Sequence, residues 1–301
     1  MAGPAGTVIG ILVGALAMGI FALNYHRMTL RAPGPGGSYS FARTTFGADH
    51  GFLTGWFLFL AYISILWANA TSVKLMIRYT LGGVLQFGFH YKVADFDVYF
   101  GEIVVTLAVV LLGGWICMAG KRLAARLQTV MAVIFAVGVV VMFLGVAGHH
   151  TGGLATMEPA FAKESNVFMQ IFGILAMMPW AFIGFEAISH SSAEFTFPAK
   201  RMFVVLMAAP GVSALVYALL AIMPTLSFPD EYVHWPEYIA DRKNLPGVNA
   251  LSTFCAVKRT FGSPGVAVMS MIMLCAQFTG IIGAYIAISR LTYAMSKDGI
   301  L

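Results

Sequence analysis

One carboxylate at the end of a long apolar stretch has the clearest capacity for chemistry in this sequence. Glu186 directly follows residues 167–185, which contain no charged side chain. An acidic residue held inside a membrane can carry a proton, and intramembrane carboxylates mark functional sites by default. The other interpretation is a structural hydrogen bond near the end of a helix. Glu186 is therefore the predicted proton-coupling residue.

The backbone just before Glu186 is expected to leave helical geometry. Pro179 lacks an amide hydrogen and its ring clashes with the preceding turn, while Gly184 tolerates non-helical dihedral angles. In transporters, broken helices of this kind form the substrate site, although Pro210-Gly211 is a second possible kink. Two aromatic residues of the break, Trp180 and Phe182, are expected to cap a bound substrate. The predicted substrate-binding residues are those of the break and two hydroxyl-bearing residues of other helices: Trp180, Ala181, Phe182, Ile183, Gly184, Tyr62 and Thr279.

The elements that must position these residues follow from the composition. The 301 residues are 59% hydrophobic and 10% charged, whereas soluble domains carry about 25% charged residues. This composition excludes a soluble globular domain and a disordered chain. A helix needs about 20 apolar residues to cross a bilayer. Seven uncharged stretches meet that length, so we predict an all-α polytopic membrane protein with transmembrane helices A to G at 6–25, 51–73, 103–119, 127–148, 167–185, 202–226 and 260–289.

Basic residues predict the orientation of these helices. The net charge is +5. In a membrane protein such an excess of lysine and arginine indicates basic cytoplasmic loops rather than a nucleic-acid-binding surface. Loops A–B, C–D and E–F and the C-terminal tail hold ten basic residues in 52 positions, against eight in 82 on the other side. The sequence therefore predicts an N-terminus outside and a C-terminus in the cytoplasm of a multi-pass cell-membrane protein.

Three motifs carry a resemblance to a known family. Helix E contains Gly184-Phe185-Glu186, followed by Glu194 and Pro198. The A–B loop contains Gly36-Gly37-Ser38-Tyr39 and Phe46-Gly47, and helix G ends in Ser-Arg-Leu-Thr-Tyr-Ala-Met-Ser-Lys-Asp-Gly at 289–299. In this order the motifs resemble those of the amino acid–polyamine–organocation (APC) permeases.

The resemblance implies a partial inverted-repeat fold of the 5+5 type. Helices A to G would correspond to family helices two to eight, with 1–148 in the first repeat and 167–301 in the second, in one membrane domain. In the family the substrate lies between broken helices one and six, and only the sixth is matched here. We therefore expect a fragment, and we expect the 301-residue chain alone to catalyse no saturable uptake. The implied function is secondary transport of an amino acid or related amine, with protons as a possible coupling ion and the lipid bilayer as surroundings.

The sequence leaves one other function open and argues against two more. A polyamine or organic-amine exchanger stays open within the family. A retinal-type seven-helix receptor would need a lysine within 260–289, and there is none. An intramembrane enzyme would need a zinc-binding His-Glu-x-x-His helix, paired aspartates within the membrane spans or a Gly-x-Ser-x-Gly elbow, and none occurs. Three scattered cysteines give no metal spacing, and neither a cofactor nor a metal is predicted.

Overall fold

The computed structural model describes residues 2–31, 34–94, 96–150, 156–162, 166–194 and 199–301, and for 191–194, 199 and 200 only the backbone. Pro198 of the helix E motif lies outside the described residues, and so does the side chain of Glu194. The helices are α1 (Pro4–Arg31), α2 (Ser38–Phe46), α3 (Ala48–Leu81), α4 (Phe100–Ala119), α5 (Lys121–His149), α6 (Val167–Ala181), α7 (Ala199–Leu226), α8 (Trp235–Asp241) and α9 (Ser252–Lys297). Shorter elements are strands β1 (His90–Val93) and β2 (Phe96–Tyr99) and 3₁₀ segments Gly82–Leu85, Phe185–Glu194 and Gly247–Ala250.

Seven helical segments of the described chain are long and apolar enough to cross a membrane. They are α1, α3, α4, α5, α6 with the 3₁₀ segment that follows it, α7 and α9, and they coincide with helices A to G. The prediction of a seven-span helical membrane protein is confirmed. Large apolar side chains point outward from these helices, as a lipid-facing surface requires: Leu16, Leu111 and Met118 are 73%, 71% and 80% exposed.

The all-α prediction is confirmed, and the described chain adds one short β-hairpin that joins α3 and α4. β1 and β2 pair antiparallel, with His90 opposite Tyr99 and Val93 opposite Phe96. Its turn includes Ala94 at a φ of 47°, so the glycine or asparagine that usually predicts a hairpin turn is not at this left-handed position. The hairpin marks one end of the bundle, called the hairpin end below.

The opposite end, called the Gly37 end, holds the loop after α1, helix α2 and the last turn of α9. Two long helices organise the bundle between these ends: α9 packs along α3 and α5, and α1 packs along α6 and α7. α9 is interrupted at Gly262, where φ is 66°. α7 continues through Pro210, so the second possible kink in the sequence does not produce a break.

Candidate functional site

The helix that carries the predicted site breaks between Pro179 and Gly184, as the sequence indicates. α6 ends at Ala181, residues 182–184 form a turn, and the 3₁₀ segment follows. Gly184 has a φ of 103°, a conformation that residues with side chains rarely adopt. The hydroxyl of Tyr217 on α7 donates to the carbonyl oxygen of Ala181 at 2.6 Å. A neighbouring helix thus satisfies a carbonyl that the break frees from helical bonding.

Glu186 lies directly after the break and is 5% exposed. Its Oε1 accepts a hydrogen bond from the Tyr62 hydroxyl at 2.9 Å, and its Oε2 accepts one from the backbone N–H of Gly184 at 2.8 Å. Tyr62 comes from α3 and is 1% exposed. The carboxylate therefore joins α3 to the break itself.

His190 completes this buried polar cluster. Its Nε2 lies 2.9 Å from the Tyr62 hydroxyl, so Tyr62 stands between His190 and Glu186. The imidazole is 1% exposed, and its Nδ1 has no hydrogen-bond partner among the side chains and backbone that the structure describes. The i, i+4 spacing of Glu186 and His190 is visible in the sequence, but the tyrosine that links them is more than 120 residues away.

A cavity of about 530 Å³ lies beside the break. Most of the predicted substrate residues line it, and the 3₁₀ segment, α3, α5, α7 and α9 supply the rest of its wall. Six of the predicted substrate residues line the cavity: Tyr62, Ala181, Phe182, Ile183, Gly184 and Thr279. Their role in substrate binding stays a prediction, but the structure brings these six together.

Trp180 is the predicted site residue that the structure does not bring to this cavity. Its side chain is 67% exposed and is not part of the cavity wall, whereas Phe182 is buried at 4% exposure. Trp180 belongs to the last turn of α6, whereas Phe182 is the first residue after the helix. The two aromatic side chains therefore have different surroundings, and this geometry does not support the expectation that both cap the site.

The described wall of the cavity carries no charged side chain. It consists mainly of isoleucine, alanine, glycine and valine, with a few polar groups. The Thr279 hydroxyl is already bonded to the carbonyl oxygen of Cys275 at 2.7 Å. Gln128 on α5 and Ser213 on α7 add an amide and a hydroxyl. The sequence alone does not distinguish these two residues, because single polar residues in a spanning helix most often bond a neighbouring helix.

The Gly37 end is closed over this polar cluster by two sets of contacts. A Cβ built on Gly37 would lie 3.0 Å from Cε1 of His190, so only glycine allows the loop to approach this closely. Beside it, the Tyr39 hydroxyl donates to Oδ2 of Asp298 at 2.8 Å, and Arg43 forms an ion pair with the same carboxylate. The side chains of Tyr39, Arg43 and Asp298 tie α2 to the end of α9.

The pKa values of Asp298 and Tyr39 are shifted in the directions that preserve the contact between α2 and the end of α9. The hydrogen bond from Arg43, with a smaller contribution from Tyr39, lowers the pKa of Asp298 below its ordinary value. Burial, together with the hydrogen bond to Asp298, raises the pKa of Tyr39 to about 12. The stabilisation that this contact gives to the folded state is lost only as the pH falls through the lowered pKa of Asp298 or rises through the raised pKa of Tyr39. The contact is therefore formed throughout the neutral range.

Comparison with known proteins gives consistent matches along the whole chain. The family model for amino acid permeases matches residues 1–301. The branched-chain amino acid permease BcaP of Lactococcus lactis is 27% identical over 319 residues, which cover 100% of this chain and 62% of the relative. The methylthioribose transporter of Bacillus subtilis is 26% identical, with 100% and 61% covered. The low-affinity putrescine importer PlaP of Escherichia coli K12 is 24% identical, with 93% and 56% covered. The chain thus spans about three fifths of the length of these relatives.

Proposed function

Because the chain belongs to the amino acid permease family, we propose that it supplies the substrate site of a secondary transporter for an amino acid with a neutral, apolar side chain. The observation that carries the proposal is the cavity of about 530 Å³ beside the broken helix. Ala181, the last residue of α6, lines that cavity. The partial negative charge of a helix C-terminus attracts a cation such as the ammonium group of an amino acid.

The neutral character of the cavity supports an apolar amino acid over a cationic amine. The names of the relatives point to branched-chain amino acids, methylthioribose and putrescine, so similarity alone leaves a cationic side chain open. Burying an ammonium group without a counter-charge costs several kcal/mol. The described wall offers Ile65, Ile183 and Val205 but no carboxylate. A polyamine or organic-amine exchanger is therefore the second candidate.

A competition experiment tests the substrate class. In liposomes that contain the full product of the gene, leucine or valine is expected to inhibit uptake of labelled leucine at least about 100-fold more strongly than lysine or putrescine, since each 1.4 kcal/mol is a factor of ten. Ser213→Asp places a carboxylate in the cavity wall and is expected to shift the preference toward lysine. Ser213→Asn introduces a side chain with nearly the volume of aspartate but no charge, and it should not shift the preference toward lysine. Equal inhibition of the wild type by lysine and leucine would exclude the neutral-substrate proposal.

The proposed transporter lies in the cell membrane with its N-terminus outside. The higher density of lysine and arginine in the loops on one side of the membrane supports this orientation. With this orientation the Gly37 end lies in the cytoplasm. We also propose that 1–148 and 167–301 belong to two inverted repeats, that protons are the coupling ion, and that the protein moves its substrate without chemical conversion.

Surface labelling tests the orientation. In a background without native cysteines, Val233→Cys is expected to react with an impermeant thiol reagent in intact cells, because Val233 is 76% exposed near the hairpin end. Thr45→Cys, on an exposed position of α2, should react only after the membrane is permeabilised. The opposite labelling pattern would reverse the proposed topology.

A further inference from the structure

The three side chains Glu186, Tyr62 and His190 form a hydrogen-bonded row whose proton arrangement can be worked out. The Tyr62 hydroxyl lies 2.9 Å from Oε1 of Glu186 and 2.9 Å from Nε2 of His190. A tyrosine hydroxyl has a single hydrogen and can donate to only one of them. When Glu186 is ionised, Tyr62 donates to its carboxylate. The Nε2 of His190 must then carry a hydrogen and donate to the Tyr62 oxygen.

Protonation of Glu186 reverses every bond in the row. A protonated carboxyl group donates to the Tyr62 oxygen, so the tyrosine hydrogen turns toward Nε2 of His190. The imidazole then accepts at Nε2 and carries its hydrogen on Nδ1, since a neutral imidazole has one donor and one acceptor nitrogen. Nδ1 is the nitrogen that has no partner among the described residues. It faces Gly37, where a Cβ would lie 3.1 Å from it.

We propose that Tyr62 and His190 relay the proton between Glu186 and the Gly37 end of the transporter. The inference rests on the proposed function, because it gives a route to the proton that Glu186 is proposed to carry. In the release step the O–H bond of Glu186 breaks as an O–H bond forms on Tyr62, and the original Tyr62 hydrogen passes to Nε2. The resulting imidazolium loses its Nδ1 hydrogen to water at the Gly37 end. One proton leaves, and the row returns to the ionised arrangement; uptake of a proton runs the same steps backward.

The surroundings of the row keep it separate from other charges. Among the described residues, the other titratable group that faces it is Tyr25 on α1, whose hydroxyl bonds Ser38 at 2.5 Å and which interacts electrostatically with Glu186. α7 and α9 contribute apolar side chains around the same 3₁₀ segment: Met202, Leu206, Ala287, Leu291, Ala294 and Met295. In the part of the chain that the structure describes, the contacts of Tyr62 and His190 lead from Glu186 toward the Gly37 end.

The test compares proton-driven uptake with substrate exchange in liposomes. His190→Gln can still donate an amide hydrogen to Tyr62, but it cannot pass a proton from one side of its group to the other. We expect uptake driven by a pH gradient to fall at least about tenfold, since a positioned proton carrier contributes a factor of 100 or more. Exchange of labelled for unlabelled leucine at equal pH, which needs no net proton movement, is expected to stay within about twofold.

Two further measurements separate a relay from a structural role. Ser189→Ala removes the neighbouring hydroxyl that bonds the Glu186 carbonyl oxygen at 2.7 Å, and it should leave both activities unchanged. In ¹⁵N-histidine-labelled wild type, nuclear magnetic resonance should place the His190 hydrogen on Nε2 at high pH, and Nδ1 should gain a hydrogen as Glu186 protonates. The relay is overturned if His190→Gln keeps gradient-driven uptake, or if the hydrogen stays on Nε2 alone throughout. Leucine exchange without any response of the wild type to a pH gradient would overturn the coupling and the relay together, whereas absence of saturable leucine transport would overturn the proposed function itself.

Discussion

Glu186→Gln is expected to abolish the pH dependence of uptake while the protein stays folded. The rate of uptake that needs one proton changes by up to about tenfold per pH unit in the pH range where the proton-carrying group is ionised. The carboxamide has nearly the volume of the carboxyl group. Its oxygen can accept the Gly184 N–H, and its NH2 group can donate to the Tyr62 oxygen as a protonated carboxyl group would. It cannot exchange a proton. The pH profile of the variant should therefore become flat.

The position of Glu186 makes this test informative. The side chain is 5% exposed, and the ion pairs of the described residues do not include it. Loss of the negative charge therefore leaves no cation without its partner, so that an effect on uptake is not a consequence of a broken ion pair. Uptake of labelled substrate into liposomes over a series of external pH values gives the profile, and circular dichroism checks that the helices are intact.

A matched control is available at the other end of the bundle. Glu237 is exposed and accepts the Val233 N–H at 3.3 Å, so Glu237→Gln repeats the same chemical change away from the broken helix. Its pH profile should match that of the wild type. If Glu186→Gln also transports at the wild-type rate with an unchanged profile, Glu186 is a structural hydrogen-bond acceptor and carries no proton.

The spans and the break were predictable because each depends on a local pattern. Long uncharged stretches give the seven spans, and Pro179 with Gly184 gives the interruption of α6. The direction of Trp180 was not predictable in the same way. It depends on where the last helical turn stops, and a shift of a single residue turns a side chain by about 100°. Proline and glycine indicate that a break exists more reliably than they indicate which side chains face the cavity.

The partners of Glu186 illustrate a second limit. Tyr62 was selected as a hydroxyl for the substrate, yet its hydroxyl is bonded to Glu186 and His190. Pairings between residues more than 100 positions apart are set by the packing of α3 against the 3₁₀ segment, which no local pattern specifies. For the same reason Tyr217, Gln128 and Ser213 were indistinguishable from ordinary polar residues of spanning helices until the cavity brought them together.

A buried ionic cluster at the hairpin end is not predictable from a local pattern either, and breaking it should destabilise the fold. The side chain of Glu102 is fully buried. Arg78 donates from Nε and Nη2 to its two carboxylate oxygens at 2.6 and 2.7 Å, and Nζ of Lys74 lies 3.8 Å from Oε2. Arg78 also donates to the carbonyl oxygen of Asp97 at 2.6 Å and lies 4.5 Å from the centre of the Phe96 ring. One carboxylate therefore holds α3, α4 and the hairpin together.

Glu102→Ala is expected to lower the free energy of unfolding by about 3–5 kcal/mol. The reason is that it leaves without a counter-charge two cations whose side chains, Arg78 and Lys74, are only 14% and 11% exposed. Unfolding in detergent micelles by a denaturant series measures the change. Asp230→Ala is the matched control: Asp230 pairs with Arg259, but its side chain is 89% exposed, so a loss of stability of at most about 1 kcal/mol is expected.

The double variant Arg78→Met with Glu102→Leu should lose less stability than Glu102→Ala alone, since an apolar pair leaves a single buried cation in place of two. A loss below about 1 kcal/mol for Glu102→Ala would contradict the assignment, and it would mean that apolar packing of α3 against α4 fixes the hairpin without the ionic cluster.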